Sequence, residues 1–540
     1  MMVPVWKYYL LLWILLECMS SITGGSSSSR NGFEVLSKAC LPLFENREHE
    51  DDDRRIQWDV QKLRETLQQL SKSQRTFKQM DGASHELYQR TQPSTTTKED
   101  SSSAIRSAFR TGCAADGLFA AELCDFLQHT TTTPTSTSTE EDGTLNGNGG
   151  REIVLSTTME YPLSNQKKKN NEKEEEIRML QVQILILWEP NYQGGAGLRH
   201  GGMDGLLLND DDDDASSQKP RGRFLIVLMD RHQNDLAFTL QSLDSSNIEY
   251  IPLQVGLIAQ EYASVSSILY HSAAQLVQTI LPTLLPTQQP HNNTNTTTNN
   301  DDLPAIHIVG SSMAGGIGAL AAAILDGTIP FPETQNNNHR HKKRRKQKKT
   351  PTTTNNDNNK TQTIHNIQGF GQGRTSAVAL GPPPCLSPNV KASYVTSLVH
   401  GDDIVCRVNP TSMDRLYQRT IQFYNTKNPL FTSWKRMSDT FSLTMSSIQS
   451  YAHGSQGEET KLALPGNVYC IKPRRYHNAC SLHQVGGDAT AKHQAWRAAI
   501  LWQLNDILLS PSMVSHHSLT AYIHALDRVQ LRSFHDNHNE

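Results

Sequence analysis

At 540 residues the chain has the length of two or three domains, yet only 36% of it is hydrophobic and its formal net charge is −3. So near-neutral a balance excludes binding of a polyanion by the chain as a whole, and polar tracts that cannot form a core take up much of the excess. Eight cysteines without a CxxC pair exclude a zinc ribbon.

The N-terminus, "MMVPVWKYYLLLWILLECMSSITGG", places Lys7 before an apolar run from Tyr8 to about Met19, followed by small residues. That run has the length of a signal peptide and is short for a membrane span, so residues 1–24 read as a signal peptide or an uncleaved membrane anchor. Either implies the secretory pathway, with the protein secreted or membrane-associated. Sequons at Asn292, Asn295 and Asn359 fit that route weakly. Loss of Cys18 with a leader would leave Cys40, Cys113, Cys124, Cys385, Cys406, Cys470 and Cys480, an odd number with room for one or two bridges and no disulfide framework.

Residues 31–128 read as a helical N-terminal region. "IQWDVQKLRETLQQL", Ile56 to Leu70, has apolar residues at helical spacing, and "SSAIRSAFRTGCAADGLFAAELCDFLQ" is a second helical block. The tract "TTTTPTSTSTEEDGTLNGNGG" makes 129–150 a disordered linker. A larger domain over 151–535 follows, interrupted by polar insertions at about 164–177, 209–220, 287–302 and 334–363. Each insertion is too polar to offset its ordering entropy and is predicted to be disordered. The last contains "HRHKKRRKQKK", His339 to Lys349, which is basic enough to touch nucleic acid, anionic lipid or an import receptor; a solvated insertion is the plainer reading.

Within that domain "MLQVQILILW" and "RFLIVLMD" read as buried strands, followed by a helix around Glu261 to Ile280. "AIHIVG" is a strand and "GIGALAAAIL" a helix. "SAVAL" and "YVTSLV" are further strands, a helical stretch starts at Asp414, and "NVYCI" is a strand. Strands that are continuous apolar runs alternating with helices imply an α/β fold, a mostly parallel sheet flanked by helices.

Between one such strand and helix lies "HIVGSSMAGGIGALAAAIL", His307 to Leu325. Glycines around a serine suit a sharp strand-to-helix turn, which would aim the Ser312 hydroxyl out at the sheet edge and leave the Met313 N–H free for an oxyanion. The alternative is a glycine-rich turn that merely packs the helix close to the sheet, or seats a phosphate at its N-terminus. The spacing of G-S-S-M-A-G-G does not match G-x-G-x-x-G. A nucleophilic serine needs a base and an acid. "SYVTSLVHGDDIVCR" offers Asp402 and Asp403 after a strand, and "SPSMVSHHSLTAYIHAL" offers His516 and His517 before a helix. Each pair alone reads equally as a solvated turn; the order Ser, Asp, His weighs more.

Taken together, "HIVGSSMAGGIGALAAAIL", "AVALGPPPCLSPNV", "YVTSLVHGDDIVCRV", "LPGNVYCI" and "SPSMVSHHSLTAYIHAL" resemble the class 3 (fungal-type) lipases, with the diacylglycerol-lipase-like branch most similar. The resemblance runs from about Ile153 to the C-terminus, and "TFKQMDGASHELYQR" is faintly similar to a helix preceding the lipase core. It implies an α/β-hydrolase-type fold, Ser312 as nucleophile, Asp403 as acid from the family's D-x-V-P, and His517 as base, with His516 in the place of the family's aspartate. It implies hydrolysis of glycerolipid acyl esters, diacylglycerol or triacylglycerol-like, through an acyl-enzyme, without metal or organic cofactor. The implied partners are a glycerolipid substrate and a membrane or lipid-droplet surface; nucleic acid is not expected.

The sequence departs from the family in four places. Ser311 replaces a histidine, Ala314 replaces the second glycine of G-x-S-x-G, and Cys406 replaces a proline. The family's Arg-Gly-Thr is missing. If Asp235 matches the family's downstream aspartate, Met229, Asp230 and Arg231 occupy the oxyanion region, which makes Asp230 with Met313 the candidate oxyanion residues. These departures support a second reading, a catalytically degraded lipase fold that binds lipid or a protein partner. A third, a nucleic-acid-associated scaffold, rests on the basic cluster and is opposed by the apolar N-terminus.

Overall fold

The computed structural model describes residues 117–128, 152–162, 179–190, 222–232, 248–255, 259–284, 304–332, 371–409, 462–473, 480–485 and 512–538, with single positions between them. The apolar N-terminal segment, the four predicted insertions and most of the stretch after Asp414 lie outside these residues.

The strands are β1 (Glu152–Pro162), β2 (Met179–Glu189), β3 (Arg223–Asp230), β4 (Ile248–Val255) and β5 (Ala259–Ser266). After helix α1 (Ser267–Leu284) come β6 (Ala305–Ser311), α2 (Ser312–Asp326), β7 (Thr375–Leu380) and β8 (Val395–His400). A 3-10 turn (Val405–Arg407), β9 (Asn467–Pro473), β10 (Cys480–Val485), the short α3 (Ser512–Ser515) and α4 (Leu519–His538) complete the order. Eight strands form one sheet in the order β1-β2-β3-β6-β7-β8-β9-β10, and β4 and β5 pair separately. From β3 to β9 every neighbour is parallel. Antiparallel strands flank that block, β1 and β2 on one side and β10 on the other.

The apolar runs explain the centre of the sheet. "ILIL" in β2 and "LIVLM" in β3 are buried on both faces, as strands covered by two layers must be. One face packs α1, α2 and the extended connection after β7 into a core that includes Ile308, Ile317, Leu320 and Leu386. The other packs a helix over 117–128 and α4, through Ala121, Cys124, Tyr522 and Leu526. Helix α2 is buried along its whole length to Leu325 because its residues are small or apolar on every side. The result is an α/β-hydrolase-type architecture, a mostly parallel mixed sheet between helical layers, with a strand-to-helix turn at its centre.

Two details differ from the sequence expectation. Residues 261–266, assigned to a helix, continue β5, and α1 begins only at Ser267. β5 joins β4 and makes a bridge from Val265 to Leu386, so tertiary pairing overrides the helical spacing there. β1, β4 and β10 have no counterpart among the predicted strands. The five described cysteines, Cys124, Cys385, Cys406, Cys470 and Cys480, are buried and unbridged. Among the described residues no helix is long and apolar enough to cross a membrane.

Candidate active site

β6 ends at Ser311 and α2 begins at Ser312 with no intervening loop. So abrupt a reversal forces Ser312 to φ 56°, and among the described residues it is the one non-glycine residue at positive φ. Such a conformation costs a non-glycine residue about 1–3 kcal/mol and persists only where the surroundings impose it. Here a close crossing imposes it. A Cβ on Gly310 would lie 2.8 Å from the Ala314 carbonyl oxygen, and one on Gly315 would lie 2.9 Å from the Gly310 carbonyl oxygen. Strand and helix therefore meet backbone to backbone. Ala314 sits outside the positive-φ region, so its methyl is tolerated where the family has glycine.

The structure brings Ser312, Asp403 and His517 together from three distant parts of the chain. His517 Nε2 is 3.0 Å from Ser312 Oγ, and its Nδ1 is 3.0 and 3.1 Å from the two carboxylate oxygens of Asp403. All three side chains are buried. With Nδ1 donating to Asp403, Nε2 is left as an acceptor for the serine proton. Asp403 stands in the turn after β8, and His517 stands between α3 and α4. Both lie at the carboxyl edge of the parallel strands, where Ser312 also emerges.

The carboxylate of Asp403 is held on every side. Besides His517 it accepts the Val405 N–H at 3.0 Å, the Tyr522 hydroxyl at 2.7 Å and the Cys406 thiol at 3.6 Å. Burial alone pushes its pKa up. The His517 ring and the hydrogen bonds from His517, Tyr522 and Val405 outweigh it and hold the group below its ordinary 3.8. Asp403 is thus kept as an anion. Burial, with the neighbouring carboxylate, pushes the thiol of Cys406 up well above its ordinary range, so it stays protonated and serves as a donor. Gly381, at the end of β7, makes room: a Cβ there would stand 2.7 Å from Asp403 Oδ2 and 3.0 Å from the Tyr522 hydroxyl.

The neighbouring candidates separate cleanly. Asp402 and His516 lie outside the Ser–His–Asp line and contact each other, the Asp402 N–H donating to His516 Nδ1 at 3.0 Å. Met313 is buried in the first turn of α2, where helical amides lack partners within the helix. Asp230 is the buried last residue of β3, and its carboxylate accepts the N–H of His232 at 2.8 Å. Arg231 donates its N–H to Gln181 of β2 at 3.1 Å. Successive amides alternate along a strand, so the N–H of Asp230 faces the opposite edge, that of β6. The Ser311 hydroxyl points away from the triad's acid and base and donates to the Met229 sulfur at 3.3 Å. Tyr522 went unnoticed in the sequence; a tyrosine in an amphipathic C-terminal helix reads as core until its hydroxyl is placed.

No protein-family model and no curated protein sequence matches the chain. Among solved structures it is similar to a lipase from Rhizopus microsporus var. chinensis, at 12% identity and a TM-score of 0.21, over 43% of this chain and 53% of that one. It is also similar to a deletion-mutant form of the Rhizomucor miehei lipase propeptide complex, at 11% identity and a TM-score of 0.24, over 55% of this chain and 62% of that one. The native propeptide complex matches at 12% identity and a TM-score of 0.19, over 43% and 48%. The chain therefore spans about half the length of these structures. Likenesses of this size say nothing about activity, and the site's own geometry has to speak for it.

Proposed function

We propose that this chain is a serine-dependent carboxylic ester hydrolase of the class 3 lipase kind, acting on acyl esters of glycerolipids. One observation carries the proposal: an unbroken file of contacts runs from Asp403 through His517 to the hydroxyl of a strained serine at a strand-to-helix turn. His517 Nε2 takes the Ser312 proton as Oγ attacks the ester carbonyl, and Asp403 stabilises the imidazolium that forms. The tetrahedral oxyanion takes the N–H of Met313 and the backbone N–H of Asp230. Collapse expels the glycerol hydroxyl, which leaves with the proton from His517. Water, deprotonated by the same nitrogen, then releases the fatty acid from Ser312.

A fluorophosphonate probe tests this directly. Labelling of the wild-type chain that is lost in Ser312→Ala supports the hydrolase. An unlabelled wild type favours the second reading, a lipase fold retained for binding, which one observation supports: β3 ends in Met229 and Asp230 and the Arg231 amide is committed to β2, where the resemblance would need an oxyanion donor. Losing one oxyanion donor costs ~2.7–4 kcal/mol of transition-state stabilisation.

The finer parts of the proposal come from the sequence resemblance and, for the route, from the apolar N-terminus. The substrate is a diacylglycerol or triacylglycerol-like lipid met at a membrane or lipid-droplet surface, and the apolar N-terminal segment, as signal peptide or anchor, directs the chain to the secretory pathway. Release of fatty acid from diacylglycerol against triacylglycerol emulsions separates the two substrates, and protease protection of the full-length chain in microsomes tests the route.

A further inference from the structure

Resting on the reading of Ser312, Asp403 and His517 as a catalytic unit, we propose that Asp402 and His516 form a clasp that sets the position of His517. Residue 517 sits beyond a segment whose first residues, Ser510 and Ser512, donate their hydroxyls to Asp402 Oδ2 at 2.9 and 3.2 Å. The other end of the segment returns to the same residue, since His516 Nδ1 accepts the Asp402 N–H at 3.0 Å. Midway, the Met513 carbonyl accepts the N–H of Ile404 at 3.1 Å. A single aspartate thus grips both ends of the stretch that delivers the base, one through its carboxylate and the other through its amide.

The clasp has little slack. Asp402 is buried, and the His516 ring lies over the bare Cα of Gly401, where a Cβ would come 2.4 Å from Nδ1. The ring also packs against His400, with centroids 4.3 Å apart and the ring planes tilted by 39°. The Arg407 guanidinium donates to the Gly401 carbonyl at 2.8 Å and fixes the same turn from behind. As an acceptor, Nδ1 of His516 carries no proton, so the ring is in the Nε2–H tautomer. Asp402 and His516 touch neither the nucleophile nor the reacting proton. They are positioning residues, and they explain why the paired aspartates and the paired histidines of this chain are both complete: one member of each pair reacts, and the other holds it in register.

The roles divide by hydrogen-bond capacity, which decides the experiment. An asparagine at 402 keeps an oxygen for the two serine hydroxyls, and an asparagine at 516 places an amide oxygen near the position of Nδ1; alanine at either position supplies no side-chain oxygen or nitrogen, though residue 402 keeps its backbone N–H. The full-length protein is assayed with a short p-nitrophenyl ester, and the downfield proton resonance of the His517 Nδ1–H···Asp403 bond is recorded in parallel. Asp402→Ala and His516→Ala are expected to lower kcat by about a hundredfold with KM little changed, the loss expected from a base displaced by about 1 Å. The resonance should broaden or shift in the same variants. Asp402→Asn and His516→Asn should restore both readouts.

Wild-type kcat and an unmoved resonance in the alanine variants overturn the clasp, as do asparagine variants as impaired as alanine. Should the alanine variants fail to fold, Ser510→Ala combined with Ser512→Ala must give the same kcat loss, and wild-type kcat there overturns it. If the wild-type chain hydrolyses no ester, the hydrolase reading falls, and the resonance alone decides the clasp.

Discussion

Tyr522 gives its hydroxyl hydrogen to Oδ2 of Asp403 at 2.7 Å, so the helix that follows the base also braces the acid. The Tyr522 hydroxyl oxygen in turn accepts the backbone N–H of His400 at 3.0 Å, which fixes the direction in which its hydrogen points. A hydrogen bond to a buried anion contributes about 1.5–3 kcal/mol, more than one between neutral groups. Tyr522→Phe is expected to leave a folded enzyme with kcat reduced roughly tenfold and KM unchanged, and stability lower by about 2 kcal/mol in chemical denaturation. An unchanged kcat would show the hydroxyl to be a packing partner alone.

The three members of the Ser–His–Asp file act as a unit, so their losses will not add. Ser312→Ala and His517→Ala should each lower kcat on the order of 10⁴-fold or more, and the double variant should be no worse than either. Asp403→Asn should be similarly damaging, because an amide in that place favours the wrong tautomer of His517. Kinetics on a soluble ester, with thermal melts to confirm folding, check this.

Gly381 allows a test with no change in any reacting group. Its φ is 57°, and a methyl there would press on Asp403 Oδ2 at 2.7 Å. Gly381→Ala should fold, with reduced stability, and lose about a hundredfold in kcat, the loss expected when a catalytic group is moved by about 1 Å. Retained activity would mean that the acid is free to retreat.

Acid sensitivity follows from a histidine away from the site. His307, in the middle of the sheet, has its pKa lowered to about 3 by burial and by the charge of Arg223, while its Nδ1 bonds the Ser376 hydroxyl at 2.8 Å. Its folded pKa lies below the unfolded value of 6.5. The stabilisation is therefore complete above pH 6.5 and is lost progressively as the pH falls through the window toward 3. At pH 5 this one residue should account for a loss of up to about 2 kcal/mol relative to neutral pH. Denaturant melts of the wild type and of His307→Gln check it; the variant should show a shallower decline over the same range.

The legible parts of the fold were those whose physics is local. β2, β3, β6 and β8 are largely buried on both faces and so appear as predominantly apolar segments, and the serine turn announces itself through its glycines. β1 escaped because it is an edge strand whose polar residues alternate outward, and β5 escaped because its apolar residues also fit a helical spacing. Asp403 is singled out from Asp402 only through the D-x-V-P of the resemblance, and that Tyr522 joins it depends on a contact across more than a hundred residues. No local pattern records such contacts.

Asp402 and Asp403 are adjacent, yet one takes hold of the segment leading to residue 517 and the other meets its ring. Acid and base are consequently tethered to a single bend of the backbone, and a displacement of that bend carries both along. The nucleophile rides on a different support, the junction of β6 and α2. Drift within the molecule would therefore open the gap between serine and imidazole first, while the imidazole and its carboxylate travel as one piece.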